Sequence, residues 1–232
     1  MQDNMQLNKF KHNFVNNSNC LSFGNARADR KNEESYGKSM VNKDFWESRW
    51  QNNKTGWDIG YAAPPITKFI DTLTDKSIKI LIPGAGNAYE AECLHKNGFP
   101  NVYVMDIASR PLENFGERVQ DFPAEHLLNE DFFKHEGQYD LIIEQTFFIA
   151  IDPKLRGEYA RKMKELLKQG GHLTGLLIFS NEPSPGGPPY IDTKEEYRRH
   201  FEGMLDIRKY EIAQNSIKPR AGREVFIDMV KN

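Results

Sequence analysis

From Lys43 onward the apolar positions fall into two periods, and their alternation lays out the chain. Phe45, Trp46 and Trp50 belong to a short helix that Asp44 is placed to cap and Gly56 to end. Pro64 and Pro65 open a second helix through Ile66, Phe69, Ile70 and Leu73. IKILIPGAG is a continuous apolar strand running into a glycine loop, with a helix over about 88–97 behind it. VYVMDI (102–107) predicts a second strand, followed by a helix around 112–119, and HLLNEDFF holds a short third strand. YDLIIE (139–144) is the fourth. Asp152 and Pro153 begin a helix bearing Leu155, Tyr159, Met163, Leu166 and Leu167, which Gly170 and Gly171 are placed to stop. HLTGLLIF is the fifth strand. A loop rich in Pro and Gly follows, then a helix near 195–201 and two strand-like runs, 205–213 and 224–230. Strand and helix alternate, which predicts an α/β fold with a mostly parallel sheet covered on both faces.

Residues 1–40 carry Phe10, Phe14, Leu21 and Phe23 at no sustained period among many Asn, Lys and Ser. So little apolar surface does not offset the entropy of ordering. A disordered extension over 1–40 and a folded domain over 41–232 are expected, and Met40 as the true start is the other way to read the boundary. The length of 232 residues suits one domain of this kind. With 31 basic and 33 acidic side chains the net charge is -2, so no concentrated basic surface for nucleic acid is expected. The two cysteines, Cys20 and Cys93, have no metal-ligand spacing and make no disulfide framework. The most apolar stretch, 173–179, is only strand-length, so no membrane span is expected. The first twenty residues lack the apolar core of a secretory signal. A cytoplasmic monomer without nucleic-acid or membrane partners is the expectation.

Candidate chemistry sits where the first two strands end. In open parallel sheets ligands bind at the carboxyl ends of the strands, where strand order reverses. Gly84 and Gly86 allow a tight turn there and close approach of a ligand to the backbone. Asp106, about twenty residues on, ends the second strand, where a carboxylate can accept hydrogen bonds from both ribose hydroxyls of an adenosine. Asp131, after the third strand, can reach an adenine amino group. The bland alternatives are a plain strand-to-helix turn and a helix cap. A dinucleotide site wants a third glycine where this chain has Tyr89, and Glu90 is a carboxylate where a diphosphate would lie. Both favour S-adenosylmethionine, which has no phosphate and carries a cationic sulfonium. Trp46, Trp50 and Trp57 can form an aromatic wall over that cation.

The segments FWESRW, TGWDIGYAAPPI, IPGAGNAYE, VMDIA, NEDFF, YDLIIEQTFFIAIDPKLR and SPGGPPY together resemble the thiopurine S-methyltransferase superfamily, with most likeness to its halide/thiol methyltransferase branch. The resemblance runs from about Asp44 to Val230. It implies a Rossmann-like class I S-adenosylmethionine-dependent methyltransferase fold with a mostly parallel seven-stranded sheet and helices on both faces. It also implies a cofactor pocket lined by Trp46, Trp50 and Trp57, with Gly84 and Gly86 in the cofactor loop and Asp106 as the ribose-binding acid. Asp131 and Phe132 fall on the adenine-side pair, and Tyr190 on a tyrosine facing the acceptor. Gln145 is a departure, standing where the plant branch tends to place an aromatic residue and thiopurine enzymes an arginine.

The implied reaction moves a methyl group to a halide, bisulfide or thiol. An anionic acceptor needs no general base, only proximity, orientation and desolvation. That suits a chain in which no Ser-His-Asp or Cys-His pattern is visible and in which His95, His126, His135, His172 and His200 share no motif. A thiopurine-type aromatic thiol methyltransferase, a nicotinamide-linked oxidoreductase and a non-catalytic cofactor-binding protein are the competing readings.

Overall fold

The structure, a computed structural model, describes residues 41–184 and 186–232. The expectation of a disordered extension over 1–40 therefore lies outside the described residues, as does Pro185 of the Pro/Gly loop. In chain order the elements are α1 (Lys43–Gln51), α2 (Pro64–Ile70), β1 (Ile80–Pro83), α3 (Tyr89–Lys96), β2 (Val102–Met105), α4 (Ser109–Arg118) and β3 (Leu127–Leu128). There follow β4 (Tyr139–Gln145), α5 (Arg156–Leu166), β5 (Leu167–Ile178), α6 (Lys194–Phe201), β6 (Asp206–Ile212) and β7 (Glu224–Val230). The strands form one sheet in the order β3-β2-β1-β4-β5-β7-β6. All pairings are parallel except those of β7, which runs antiparallel to both β5 and β6. This is the Rossmann-like α/β architecture, and its strand order reverses between β1 and β4.

The alternation of side chains along β4 shows how the sheet is held. Ile142 joins Tyr159 and Met163 of α5 and Tyr197 and Phe201 of α6 on one face. Leu141 and Ile143 join Ile66 and Ile70 of α2, Leu94 of α3 and Phe115 of α4 on the other. All four residues of β1 are buried, as an interior parallel strand requires. Each buried Leu, Ile or Phe contributes ~1.5–3 kcal/mol. A one-residue slip of β4 would exchange its two faces, so the register is fixed by packing.

Three local expectations are corrected. Asn42, not Asp44, caps α1, its side chain accepting from the Phe45 N–H at 3.0 Å. That helix stops at Gln51, well before Gly56. Helix α5 ends at Leu166 and not at Gly170, because buried Leu167 turns extended and pairs with Tyr139 of β4. The next register pair is Leu141 with His172, so Gly170 and Gly171 lie in a bulge within β5. Local glycine signals lost there to a strand pairing the sequence does not reveal.

Candidate active site

The loop after β1 lies at the topological switch point, and its shape is set by two glycines in left-handed backbone, Gly84 (φ 57) and Gly86 (φ 54). A side chain at Gly84 would put its Cβ 2.3 Å from the Phe147 ring, so the close approach that this glycine permits is made by Phe147. At Gly86 a Cβ would meet the Trp50 ring at 3.5 Å, an ordinary contact. Trp50 therefore covers Gly86 and Phe147 covers Gly84. Trp57 stands edge-on to both other tryptophans, its ring 5.5 Å from that of Trp46 and 5.8 Å from that of Trp50. The three tryptophans are one edge-on cluster, and Trp50 is the member that meets the loop.

Asp106 follows β2 and is 8% exposed. Its Oδ2 accepts from the Gly86 N–H at 3.0 Å and its Oδ1 from the Ala108 N–H at 2.9 Å. Burial pushes its carboxyl up to about 6, against the lowering effect of those two N–H donors. The acid thus both ties the glycine loop to β2 and begins the turn into α4. Asn129 donates to the carbonyls of Asp106 and Ile107, and Glu47 of α1 accepts from the Ser109 N–H at 2.7 Å. These two polar residues orient the acid's surroundings and carry no motif that sequence reading could use.

The chain before α2 is fastened at three points. Arg220, buried, donates to the Trp57 carbonyl at 2.8 Å and pairs with buried Glu224 at 3.4 Å. Asn87 and Tyr89 both hydrogen-bond to Asp58 Oδ2. Glu90 turns inward, its Oε1 accepting from the Ala63 N–H at 2.9 Å. Glu90, which reads from the sequence as a carboxylate standing where a diphosphate would lie, has its carboxyl held in the protein interior, where burial pushes its pKa up. Tyr89 lies beneath the Arg118 guanidinium, 4.8 Å from the ring centroid.

Asp131 caps the short turn Phe132–Lys134, its side chain accepting from the Phe133 N–H at 3.0 Å. Buried Phe132 packs edge-on to Phe147 at 5.2 Å. Gln145, the last residue of β4, keeps its Oε1 buried without a partner. Tyr190 is tied to the segment after β4, its N–H donating to the Ile149 carbonyl at 2.7 Å. The Tyr190 carbonyl accepts from Arg156 and, at 3.4 Å, from the Tyr197 hydroxyl. Burial, with Asp152 nearby, pushes the Tyr190 phenol up. Contacts thus join Trp46, Trp50, Trp57, Gly86 and Asp106 in one group and Gly84, Phe147 and Phe132 in a second. Asp131 is used locally, and Tyr190 approaches through its backbone.

Residues 41–231 match the family model described as Thiopurine S-methyltransferase (TPMT). A probable thiol methyltransferase 2 of Arabidopsis thaliana is 33% identical over 188 residues, 77% of this chain and 81% of the plant protein. The chain belongs to the thiopurine S-methyltransferase family. A thiocyanate methyltransferase 1 of Brassica oleracea is 31% identical over 79% of this chain and 85% of its own length. The fold likeness extends to the 1,6-didemethyltoxoflavin-N1-methyltransferase of Burkholderia thailandensis, with TM-score 0.69 and 16% identity over 89% of this chain and 94% of that one. As a member of the thiopurine S-methyltransferase family the protein is a methyltransferase, and its cofactor is S-adenosyl-L-methionine. The residues fit that group: a glycine loop in left-handed backbone, a buried carboxylate raised in pKa beside it, and a tryptophan cluster that reaches the loop through Trp50. Among the described residues no helix is long and apolar enough to cross a membrane.

Proposed function

We propose that this methyltransferase moves its methyl group to a small soft nucleophile: a halide, bisulfide, thiocyanate or small thiol. The observation that carries the reading is the character of the strand ends. They are walled by aromatic rings (Trp50 over Gly86, Phe147 over Gly84, Phe132 behind Phe147), with Oε1 of the neutral Gln145 amide buried without a partner. Thiocyanate enters because a relative so named covers most of this chain.

In this reading Asp106 accepts from the ribose hydroxyls, the Gly84 and Gly86 backbone lies against the cofactor, and Trp46, Trp50 and Trp57 face its positive charge. Asp131 and Phe132 take the adenine side. When bound, the cofactor supplies an electrophilic methyl group whose leaving thioether is neutral. The protein's part is to strip water from the acceptor and hold it in line, which the aromatic walls do by offering no competing solvation. An acceptor that attacks as an anion (halide, bisulfide, thiocyanate or a thiolate) becomes neutral on taking the methyl group. No proton has to be removed in the transfer, so no base is needed. Three of the histidines are engaged elsewhere, His135 with Glu130 and Tyr139, His172 with Asp228 and His95 with Asp121. Tyr190 offers one phenolic donor to orient the acceptor.

The test is headspace gas chromatography of purified protein with S-adenosylmethionine and, separately, iodide, bisulfide and thiocyanate. Volatile methylated product from at least one supports the reading; product only from aromatic thiols moves the protein to the thiopurine-type activity.

A further inference from the structure

Glu144 lies one residue before the end of β4 and is wholly buried. Its oxygens divide their work. Oε1 accepts from the N–H groups of Phe147 at 2.7 Å and Phe148 at 3.0 Å, and Oε2 accepts from the Tyr159 hydroxyl of α5. A buried carboxyl is costly in an apolar interior, so its place calls for something it holds. What it holds is a turn with Thr146 in left-handed backbone (φ 63), a conformation disfavoured for a β-branched residue.

That turn carries contacts in two directions. The Phe147 ring lies against Gly84 of the cofactor loop and packs on Phe132. Two residues on, the Ile149 carbonyl accepts from the Tyr190 N–H. Tyr159 is itself immobilised, fully buried with its ring 5.5 Å from Phe132 and 5.0 Å from Phe148. The sheet side is equally close-set, since a Cβ at Gly175 of β5 would fall 2.0 Å from the Glu144 carbonyl oxygen.

We propose that Glu144 and Tyr159 are a positioning pair that locks the 146–149 turn, so that Phe147 on the cofactor side and Tyr190 on the acceptor side keep one fixed spacing. This rests on the site reading of the preceding subsection. The pair holds in either protonation state. Oε1 keeps both N–H bonds, and a protonated Oε2 donates to the Tyr159 oxygen where the ionised one accepts. By the same geometry a glutamine can replace Glu144, with its amide N–H turned to Tyr159, whereas leucine cannot.

The experiment compares Glu144→Leu, Glu144→Gln and Tyr159→Phe in the full chain, saturated with S-adenosylhomocysteine for hydrogen exchange and supplied with S-adenosylmethionine alone for turnover. Amide hydrogen exchange is read over 146–150, and kcat and KM are measured with thiocyanate, which does not titrate near neutral pH. Glu144→Leu is expected to exchange at least about tenfold faster over 146–150 with strands β1 and β5 unchanged. Its kcat per folded protein is expected to fall about tenfold or more, with KM and S-adenosylhomocysteine affinity within about threefold of the parent. Glu144→Gln restores both, and Tyr159→Phe falls between. A purely structural role would instead lower the unfolding midpoint and leave kcat per folded protein unchanged. The proposal is overturned if exchange over 146–150 does not rise in Glu144→Leu, or if the glutamine variant is as impaired as the leucine one. Should the leucine variant not fold, unchanged exchange in Tyr159→Phe overturns it. A parent protein that methylates no small anion refutes the functional reading, while the exchange data still decide the pair.

Discussion

The Gly86 N–H donates to Asp106 Oδ2 at 3.0 Å across a separation of 20 residues, joining the loop after β1 to the end of β2. In the proposed reading the two ribose hydroxyls meet there a carboxylate that is already held by backbone N–H groups and already buried. Replacing Asp106 with alanine removes hydrogen bonds to a charged group, worth about 1.5–3 kcal/mol. Calorimetry should show S-adenosylhomocysteine bound roughly 10- to 100-fold more weakly by Asp106→Ala.

If Asp106 holds the ribose as proposed, the same acid should make binding pH-dependent. Its free carboxyl is held up to about 6 by burial, and hydroxyl donors favour the ionised form. Binding near that pH therefore releases protons, and affinity falls as pH drops below it. Titrations in two buffers of different ionisation enthalpy should detect proton release near pH 6. The release should vanish in Asp106→Asn.

The two loop glycines should respond differently to alanine. Both carry left-handed backbone, costing about 1–2 kcal/mol for a residue with a Cβ. Only Gly84 adds a collision with the Phe147 ring. Denaturant unfolding should show Gly84→Ala losing stability beyond Gly86→Ala by about 1–3 kcal/mol. Adding Phe147→Ala to Gly84→Ala should reduce the loss assigned to the glycine.

How far the sequence foretells this site depends on whether a residue's partner is near in the chain. The seven strands, the glycine loop and Asp106 follow from period and spacing, because buried parallel strands and strand-end residues declare themselves locally. Glu144 does not, since its N–H partners matter only because Thr146 turns left-handed and Tyr159 arrives from another element. Arg220 is also hidden, for it meets Trp57 across 163 residues. Glu90 shows the converse: beside the glycine loop it reads as a carboxylate where a diphosphate would lie, yet it turns inward and accepts from the Ala63 N–H just before α2.

Arg220 and Glu224 are buried together, 4% and 2% exposed. Removing only the arginine strands a buried carboxylate and frees Trp57, so Arg220→Met should destabilise by about 3–5 kcal/mol. The double variant Arg220→Met, Glu224→Gln should recover a substantial part of that loss in urea unfolding.

Glu144 makes a separate prediction about stability. Burial pushes its carboxyl from 4.5 to about 7 in the folded chain. A group raised on folding lends stability that is complete below its unfolded value and is lost as pH rises through the folded one. Relative to Glu144→Gln, the parent should therefore lose about 3 kcal/mol of stability between pH 4.5 and 7. Urea midpoints of the two proteins at both pH values measure the difference.

Competition between acceptors decides whether the methyl group goes to a small soft nucleophile. The purified protein receives S-adenosylmethionine with thiocyanate, bisulfide and iodide against thiophenol, and kcat/KM is obtained for each from its methylated product. At least one small nucleophile should be favoured over thiophenol by about tenfold or more, the scale of one transition-state contact. Thiophenol turned over while all three small nucleophiles remain unmethylated would contradict it.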